Sequence, residues 1–146
     1  MRLSITTPRG ALVDTEVDEL TAPGELGEFG VLPGHVPLMS ALKPGVIWYK
    51  GKERSGVLAV GQGFLQVAPL PPVTEHAGGH DRVLVLVDQA LTATDVDRAS
   101  AEKDLAAADR ELAAWTGELD GAHQALLERR GWAQARLDAA ARGAAH

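Results

Sequence analysis

Three residues have the chemistry of a metal site: His76, His80 and Asp81. Two histidines separated by three residues match a pair of zinc ligands when the segment is helical. The surrounding stretch PLPPVTEHAGGHD contains three prolines and two glycines, which is more typical of a loop between strands than of a helix. The segment therefore supports two interpretations, a solvated loop and a metal-sensing site.

Other patterns that carry catalysis are missing from the sequence. It has no glycine-rich loop ending in Lys-Ser or Lys-Thr, and no G-x-S-x-G nucleophile pattern. The lone G-x-G at residues 61–63 stands between two apolar runs, which favours a bulge or tight turn over a phosphate-binding loop. His35, in the segment LPGH, is a lone histidine, and such residues are more often structural or interface residues than catalysts. We therefore expect a protein without an active site of its own.

The composition is that of a folded protein. The chain has 146 residues, of which 45% are hydrophobic and 23% charged, enough for one compact domain or a small core domain with an appendage. No cysteine is present, so thiol chemistry is excluded. The net charge of −6 argues against nucleic-acid binding. No apolar run approaches the roughly 18 residues that span a bilayer, and the N-terminus has no signal-peptide core, so we expect a soluble or peripheral protein.

The first 90 residues have the pattern of a β domain. All eight prolines lie there, between short apolar runs such as LSI, VIWY, GVLAV, GFLQV and VLVLV. These runs predict short strands of a sandwich or barrel. The last run is apolar on both faces up to Asp88, which predicts a strand covered on both sides, by another sheet and by a docked helix. Residues 27–47 hold too many turn formers for a helix or a long strand.

The sequence after residue 90 predicts an antiparallel pair of helices. It is rich in Ala, Leu, Glu, Asp and Arg and has no proline. Thr94 is the expected N-cap of the first helix. A turn is expected within TGELDGAH, and a second helix over residues 122–142. An apolar stripe on the first helix is expected to pack on the second. Its members are Ala101, Leu105, Ala108, Leu112, Trp115 and Leu119.

Charge is divided unevenly between the two predicted helices. Residues 89–121 carry three basic and eight acidic side chains, whereas residues 122–146 carry four basic and two acidic ones. One interpretation is that the arms complement each other through exposed ion pairs. The other is that the basic arm detaches and binds an acidic partner elsewhere. Both interpretations apply if the arms switch between two states that differ in free energy by only a few kcal/mol.

The segment GEFGVLPGHVPLMSALKPGVI, residues 27–47, closely resembles the hallmark of the epsilon subunit of F-type ATP synthases, G-E-x-G-x-x-P-G-H-x-P followed by an apolar run and a K-x-G turn. The resemblance covers essentially the whole chain, with matching segments at LSITTPRGALVDTEVDEL, GFLQV, VLVLVDQA and DVDRA. It implies an α+β fold with two parts. Residues 1–90 would form an N-terminal antiparallel β-sandwich that docks on the rotor, and residues 91–146 a C-terminal two-helix antiparallel hairpin with a regulatory role.

The sequence departs from the family pattern in three places. The usual Gly-Gly pair is GQG, with Gln66 where Glu is common, and the loop before the last long strand is enlarged. Some family members bind ATP through a first-helix pattern Ile/Leu-Asp-x-x-Arg-Ala. This chain keeps Asp95 and Arg98 of that pattern, but has Thr94 at the apolar position and Leu105 where others have a further arginine. The resemblance thus implies weak ATP binding at most, with no cofactor required.

The resemblance implies a non-catalytic rotor component, peripheral to the cytoplasmic face of a bacterial plasma membrane. Its partners would be the gamma subunit and the c-ring, and the alpha and beta subunits when the helical tail extends and inhibits ATP hydrolysis. Glu28 and His35 correspond to contacts with the c-ring or gamma subunit. The basic residues of the tail would meet an acidic segment of the beta subunits; they are Arg129, Arg130, Arg136 and Arg142.

A freestanding adaptor or metal sensor that uses His76, His80 and Asp81 is the alternative function. Zinc-dependent thermal stability, lost on substitution of either histidine, would favour it. Co-purification with a gamma-like subunit would favour the rotor component.

Overall fold

The computed structural model describes residues 1–68 and 81–144. The described residues form ten strands, a 3₁₀ turn over Ala93–Asp95 and two α-helices. The strands are β1 (Arg2–Thr7), β2 (Gly10–Glu16), β3 (Glu19–Gly24), β4 (Gly27–Val31), β5 (Leu38–Leu42), β6 (Gly45–Lys50), β7 (Ser55–Val60), β8 (Gly63–Ala68), β9 (Arg82–Val87) and β10 (Ala90–Thr92). The helices are α1 (Arg98–Ala113) and α2 (Gly121–Ala144). The expected α+β fold is confirmed, and the last strand continues to Thr92.

The strands form one continuous sheet that makes two layers. Their order is β10-β7-β6-β3-β5-β8-β9-β1-β2, with β4 paired to β3. A single residue pair, Gly24 with Leu42, joins β3 to β5 and so links the two layers. Neighbouring strands are antiparallel except β1 and β9, which are parallel. One buried core unites side chains from both layers, including Leu3, Leu20, Ile47 and Leu65.

The prediction for the run VLVLV is half right. Val83, Val85 and Val87 of β9 are buried, as alternation requires. On the opposite face Leu84 is half-buried and Leu86 keeps 48% of its surface exposed, so no described helix covers it as expected. Helix α2 packs on β6 and β7 in the other layer. The apolar periodicity predicted strand β9 correctly, but it does not indicate on which layer of the sheet the helix packs.

The segment at residues 27–47 contains two strands of five residues each, β4 and β5, and the beginning of β6. Strand β4 forms a tight hairpin with β3, in which Gly24 pairs with Gly27. Gly27 has a φ of 133°, a backbone conformation that side chains other than glycine's rarely adopt. The density of turn formers thus reflects tight turns between very short strands.

The helical hairpin differs from its prediction at the ends of α1. Asp97, not Thr94, is the N-cap, and its carboxylate accepts a hydrogen bond from the backbone N–H of Ser100. Helix α1 ends at Ala113, so Trp115 and Leu119 lie beyond the helical stripe, and Leu119 is 82% exposed. Ala101 and Ala108 are buried as expected. Small buried side chains let the two helices approach closely.

Candidate docking surfaces

The loop after β4 is a rigid turn. The backbone N–H of His35 donates to the carbonyl oxygen of Leu32 at 3.0 Å, and Gly34 has a φ of 85°. Pro33 and Gly34 therefore occupy the central positions of a type II turn, which favours those two residue types. The imidazole Nδ1 of His35 lies 2.8 Å from the carbonyl oxygen of Val36. Because a carbonyl oxygen only accepts, Nδ1 carries the hydrogen, which leaves Nε2 of the half-buried ring for another partner.

Asp81 anchors this turn. Its Oδ2 accepts a hydrogen bond from the backbone N–H of Gly34 at 2.6 Å, across 47 residues of chain. The sequence left Asp81 with two interpretations, part of a solvated loop or part of a metal-sensing site, and in the structure its carboxylate holds the Gly34 amide. His76 and His80 lie outside the described residues. Among the residues that the structure describes, no group of three or more His, Asp or Glu side chains is placed to hold a metal ion.

The substitution Asp81→Ala should loosen the turn. A carboxylate that accepts from a backbone N–H contributes more than a neutral acceptor, although exposure to solvent reduces this to about 1 kcal/mol. We expect hydrogen exchange at the Gly34 amide to become about fivefold faster. Glu53→Ala, an exposed acid in the β6–β7 turn, is the control and should leave that amide unchanged. An unchanged Gly34 rate in Asp81→Ala would show that the turn does not depend on this bond.

Glu28 lies well away from His35. It is the second residue of β4, beside the β3–β4 hairpin turn, and pairs with Pro23, whereas His35 follows the other end of the same strand. The Glu28 side chain is exposed and lines a groove of 390 Å³ together with Met39. The two residues expected to make contacts are thus separated by the length of β4.

The outer face of the second layer carries an exposed apolar surface that the sequence analysis missed. Phe64 on β8 pairs with Leu86 on β9, and Met39 on β5 pairs with Gln66 on β8, so these side chains project from the same face. Met39, Phe64 and Leu86 are 66%, 56% and 48% exposed, respectively. We call these three residues the outer apolar strip. The alternation of β8 and β9 marked Phe64 and Leu86 as opposite to the buried positions, and that signal could have revealed the strip.

Three of the four basic residues of α2 have partners on α1. Arg129 contacts Glu111 at 3.1 Å, Arg130 contacts Asp109 at 2.6 Å, and Arg136 contacts Asp104 at 2.8 Å. We call these three contacts the ion-pair zipper. Their side chains are largely exposed except that of Arg136, which is 12% exposed. The zipper agrees with the first interpretation of the charge division, in which the arms complement each other.

Arg142 differs from the other three arginines because it contacts the sandwich. Its guanidinium carbon lies 4.6 Å from the centroid of the Trp48 ring on β6. The Nε of Arg142 and the Nε1 of Trp48 are both buried and have no hydrogen-bond acceptor among the described residues. The contact is therefore a stacking of cation on ring.

The two residues of the ATP-binding pattern lie before and at the start of α1. Asp95 belongs to the 3₁₀ turn, and its Oδ2 accepts a hydrogen bond from the hydroxyl of Thr92 at 2.9 Å. Arg98 is the first residue of α1 and is exposed. The Asp95 carboxylate is thus already engaged, whereas the Arg98 side chain faces solvent.

No described helix is both long and apolar enough to cross a membrane. The comparison with protein families gives a match of residues 1–71 to the model of the "ATP synthase, Delta/Epsilon chain, beta-sandwich domain". An ATP synthase epsilon chain of Anaeromyxobacter sp. strain K is 40% identical over 144 residues, which cover 97% of this chain and 98% of that one. The ATP synthase epsilon chain 2 of Syntrophotalea carbinolica is 41% identical over 99 residues, and this match spans only 64% of that relative's length.

Two solved structures share the fold. One is of the Euglena gracilis mitochondrial ATP synthase, OSCP/F1/c-ring, with a TM-score of 0.64 and 20% identity over 99% of this chain and 80% of the matched chain. The other is of the Tetrahymena thermophila mitochondrial ATP synthase central stalk and c-ring, with a TM-score of 0.61 and 16% identity over 96% of both chains.

Proposed function

The chain belongs to the family of ATP synthase epsilon chains, and from this premise we propose that it is a non-catalytic rotor component of the central stalk. In this role it couples the gamma subunit and the c-ring to the catalytic head, peripheral to the cytoplasmic face of a bacterial plasma membrane. The observation that carries the proposal is the outer apolar strip, which lies on the layer opposite the one that α2 covers.

The outer apolar strip has the properties of a protein contact. Large apolar side chains that share one strand face, next to a groove with a carboxylate, are typical of an interface core with a polar rim. Buried aromatic anchors dominate the energetics of such contacts. Phe64 is the aromatic residue of the strip and Met39 a flexible side chain that adapts to its partner. We assign the strip to the gamma subunit.

Glu28 and His35 supply contacts of different kinds. Glu28 borders the strip through the groove that it shares with Met39, which supports a polar contact at the rim of the gamma interface. His35 sits at the other end of β4 on the turn anchored by Asp81, with Nε2 left for a partner. A rigid loop holds a contact residue at low entropic cost, and we assign His35 to the c-ring.

The helical tail inhibits ATP hydrolysis, in this proposal, by exchanging one set of acidic partners for another. Arg129, Arg130 and Arg136 are engaged by the ion-pair zipper and Arg142 by Trp48. They reach an acidic segment of the beta subunits, beside the alpha subunits, only after these contacts open. Exposed ion pairs contribute about 0.2 to 1 kcal/mol each, so such an exchange is readily reversible.

Weak ATP binding at Asp95 and Arg98 remains part of the proposal. The exposed Arg98 guanidinium suits a phosphate group, whereas the Asp95 carboxylate must leave Thr92 before it binds a ribose hydroxyl. In this proposal the rotor function requires no cofactor.

Neutralising two acids of the zipper, by Asp104→Asn with Asp109→Asn, should strengthen the inhibition. The substitutions free Arg136 and Arg130 without removing them. Because the folded hairpin loses about 1 kcal/mol of stability, the ratio of extended to folded hairpin should rise about fivefold. The measurement is ATP hydrolysis by the assembled enzyme, which should fall. The matched control, Glu102→Gln with Glu118→Gln, removes two acids outside the zipper and should leave hydrolysis unchanged.

Neutralising the four tail arginines instead should relieve inhibition and leave assembly intact. The tail proposal is contradicted if the Asp104/Asp109 and four-arginine variants both hydrolyse ATP at the wild-type rate.

The direct experiment for the rotor function is reconstitution with the gamma subunit of the same ATP synthase. We expect a stoichiometric complex between the purified chain and gamma. Absence of binding under conditions in which the gamma subunit is folded would overturn the proposed function.

A further inference from the structure

At the centre of its contact with the sandwich, helix α2 presents small side chains. Ala135 and Ala139 of α2 and Ala59 of β7 are at most 1% exposed, and the partly buried Trp132 of α2 and Val46 and Val57 of the sheet pack around them. At the end of the helix, a Cβ added to Gly143 would lie 2.6 Å from the Cβ of Ala93. Close approach of this kind buries little apolar area for each residue, so the alanine contact alone holds the helix weakly.

The Trp48–Arg142 contact stands out within this interface. Trp48 projects from the same outer face of β6 as Val46, and its ring is approached by Arg142 at 4.6 Å and by Lys50 at 5.6 Å. A planar guanidinium stacks on an indole better than an ammonium does. The buried Arg142 Nε and Trp48 Nε1 form no hydrogen bond within the described part of the chain, so stacking and packing hold this guanidinium.

Two carboxylates line the groove beside Arg142, and neither forms an ion pair with it among the described residues. Glu28 of β4 and Asp138, one helical turn before Arg142, line a groove of 440 Å³ together with Arg142 and Lys43. Their negative charge favours a cation at this position. Groups of both the sandwich and the helix thus keep Arg142 over Trp48.

The two kinds of arginine contact hold different parts together. The ion-pair zipper joins α1 to α2, and it includes no residue of the sandwich. Arg142 joins the end of α2 to β6. We propose that the Trp48–Arg142 stack is the latch that holds the helical hairpin as a unit on the sandwich, and that it opens separately from the zipper. The regulatory meaning of this latch rests on the proposed inhibitory tail.

The test uses the isolated full-length chain labelled with ¹⁵N. The sequence has three tryptophans, which give three indole N–H signals. The Trp115 indole donates to the carbonyl oxygens of Gly117 and Glu118 at 3.0 and 3.1 Å, so it reports only local structure and serves as an internal reference. The Trp48 indole is sheltered at the latch and reports its opening.

Arg142→Ala should increase exchange of the Trp48 indole hydrogen with water about tenfold and shift its signal towards that of an exposed indole. Arg142→Lys should give a smaller increase, because the ammonium stacks less well. The matched control is Arg129→Ala, which removes a zipper arginine of α2 and should leave the Trp48 signal in place. The Trp115 signal should stay unchanged in all three variants, which shows that the turn between the helices is intact.

An unchanged Trp48 signal in Arg142→Ala would overturn the latch, as would an equal change in Arg129→Ala. ATP hydrolysis by the enzyme assembled with Trp48→Ala, which opens the latch and keeps all four tail arginines, separates this proposal from the inhibitory function. If the indole exchanges faster in Arg142→Ala while hydrolysis with Trp48→Ala stays at the wild-type rate, the latch stands and the inhibitory role of the tail is wrong. If hydrolysis falls as well, both are supported.

Discussion

Replacing Phe64 by glutamate is expected to weaken binding of the chain to the gamma subunit by more than 100-fold. Phe64 is 56% exposed at the centre of the outer apolar strip, so the free protein tolerates the substitution. In the complex, a buried carboxylate replaces an aromatic anchor and costs about 3 kcal/mol or more. Isothermal titration of the purified chain with the gamma subunit measures the difference, and the Tm of the variant should stay close to that of the wild type.

A matched control separates loss of the strip from loss of any exposed apolar residue. Leu119 is 82% exposed in the turn between the helices, on a different part of the molecule. Leu119→Glu should bind the gamma subunit as the wild type does. Tight binding by Phe64→Glu would exclude the strip as the gamma interface, and equal weakening by Leu119→Glu would show that the contact is not specific to the strip.

The second large effect is expected from Gly63→Ala, at the start of β8. A Cβ on Gly63 would lie within hard contact of the backbone carbonyl of Leu86, a group that cannot move without breaking the β8–β9 ladder. Overpacking of this kind costs about 1 to 3 kcal/mol, and the backbone clash places this case at the upper end. Thermal unfolding should show a Tm about 6 to 12 °C lower, from the usual scaling for a domain of this size.

Gly30→Ala is the control for this substitution. Gly30 also lies in a strand, but the atom nearest to its added Cβ is the Leu20 carbonyl oxygen at 3.8 Å, an ordinary contact. We expect its Tm to stay within about 2 °C of the wild type. If Gly63→Ala is equally well tolerated, the close approach of β8 and β9 at this point is wrong.

The glycines of the G-x-G segment illustrate what the sequence could predict. Its position between two apolar runs favoured a bulge or tight turn over a phosphate loop, and in the structure Gly61 and Gln62 form a two-residue connection between β7 and β8. The backbone N–H of Gly61 donates to the Gln89 carbonyl oxygen, and that of Asp88 donates to the Gln62 carbonyl oxygen. These bonds join two short strand connections that are distant in sequence, and local patterns do not reveal such pairing. The same holds for Asp81, whose role depends on a turn 47 residues earlier.

Elements with strong periodicity were predicted well, and their partners were not. Apolar alternation identified β1, β6, β7, β8 and β9, and helix-forming composition identified α1 and α2. Which layer α2 covers depends on small residues such as Ala59, whose significance appears only when Ala135 and Ala139 face it. The outer apolar strip follows from that choice, because a helix on β8 and β9 would have buried Phe64 and Leu86. The N-cap is Asp97 and not the predicted Thr94, because a 3₁₀ turn that the pattern did not indicate precedes the helix.

The central claim is that the chain docks on the gamma subunit through the outer apolar strip. Hydroxyl-radical footprinting tests it most directly, by comparing the chain alone with its complex with the purified gamma subunit. Oxidation of Met39 and Phe64 should fall at least severalfold on complex formation, whereas oxidation of the exposed Leu119 should stay the same. Unchanged oxidation of Met39 and Phe64 in a stoichiometric complex would contradict the account, because the gamma subunit would then bind another face of the sandwich.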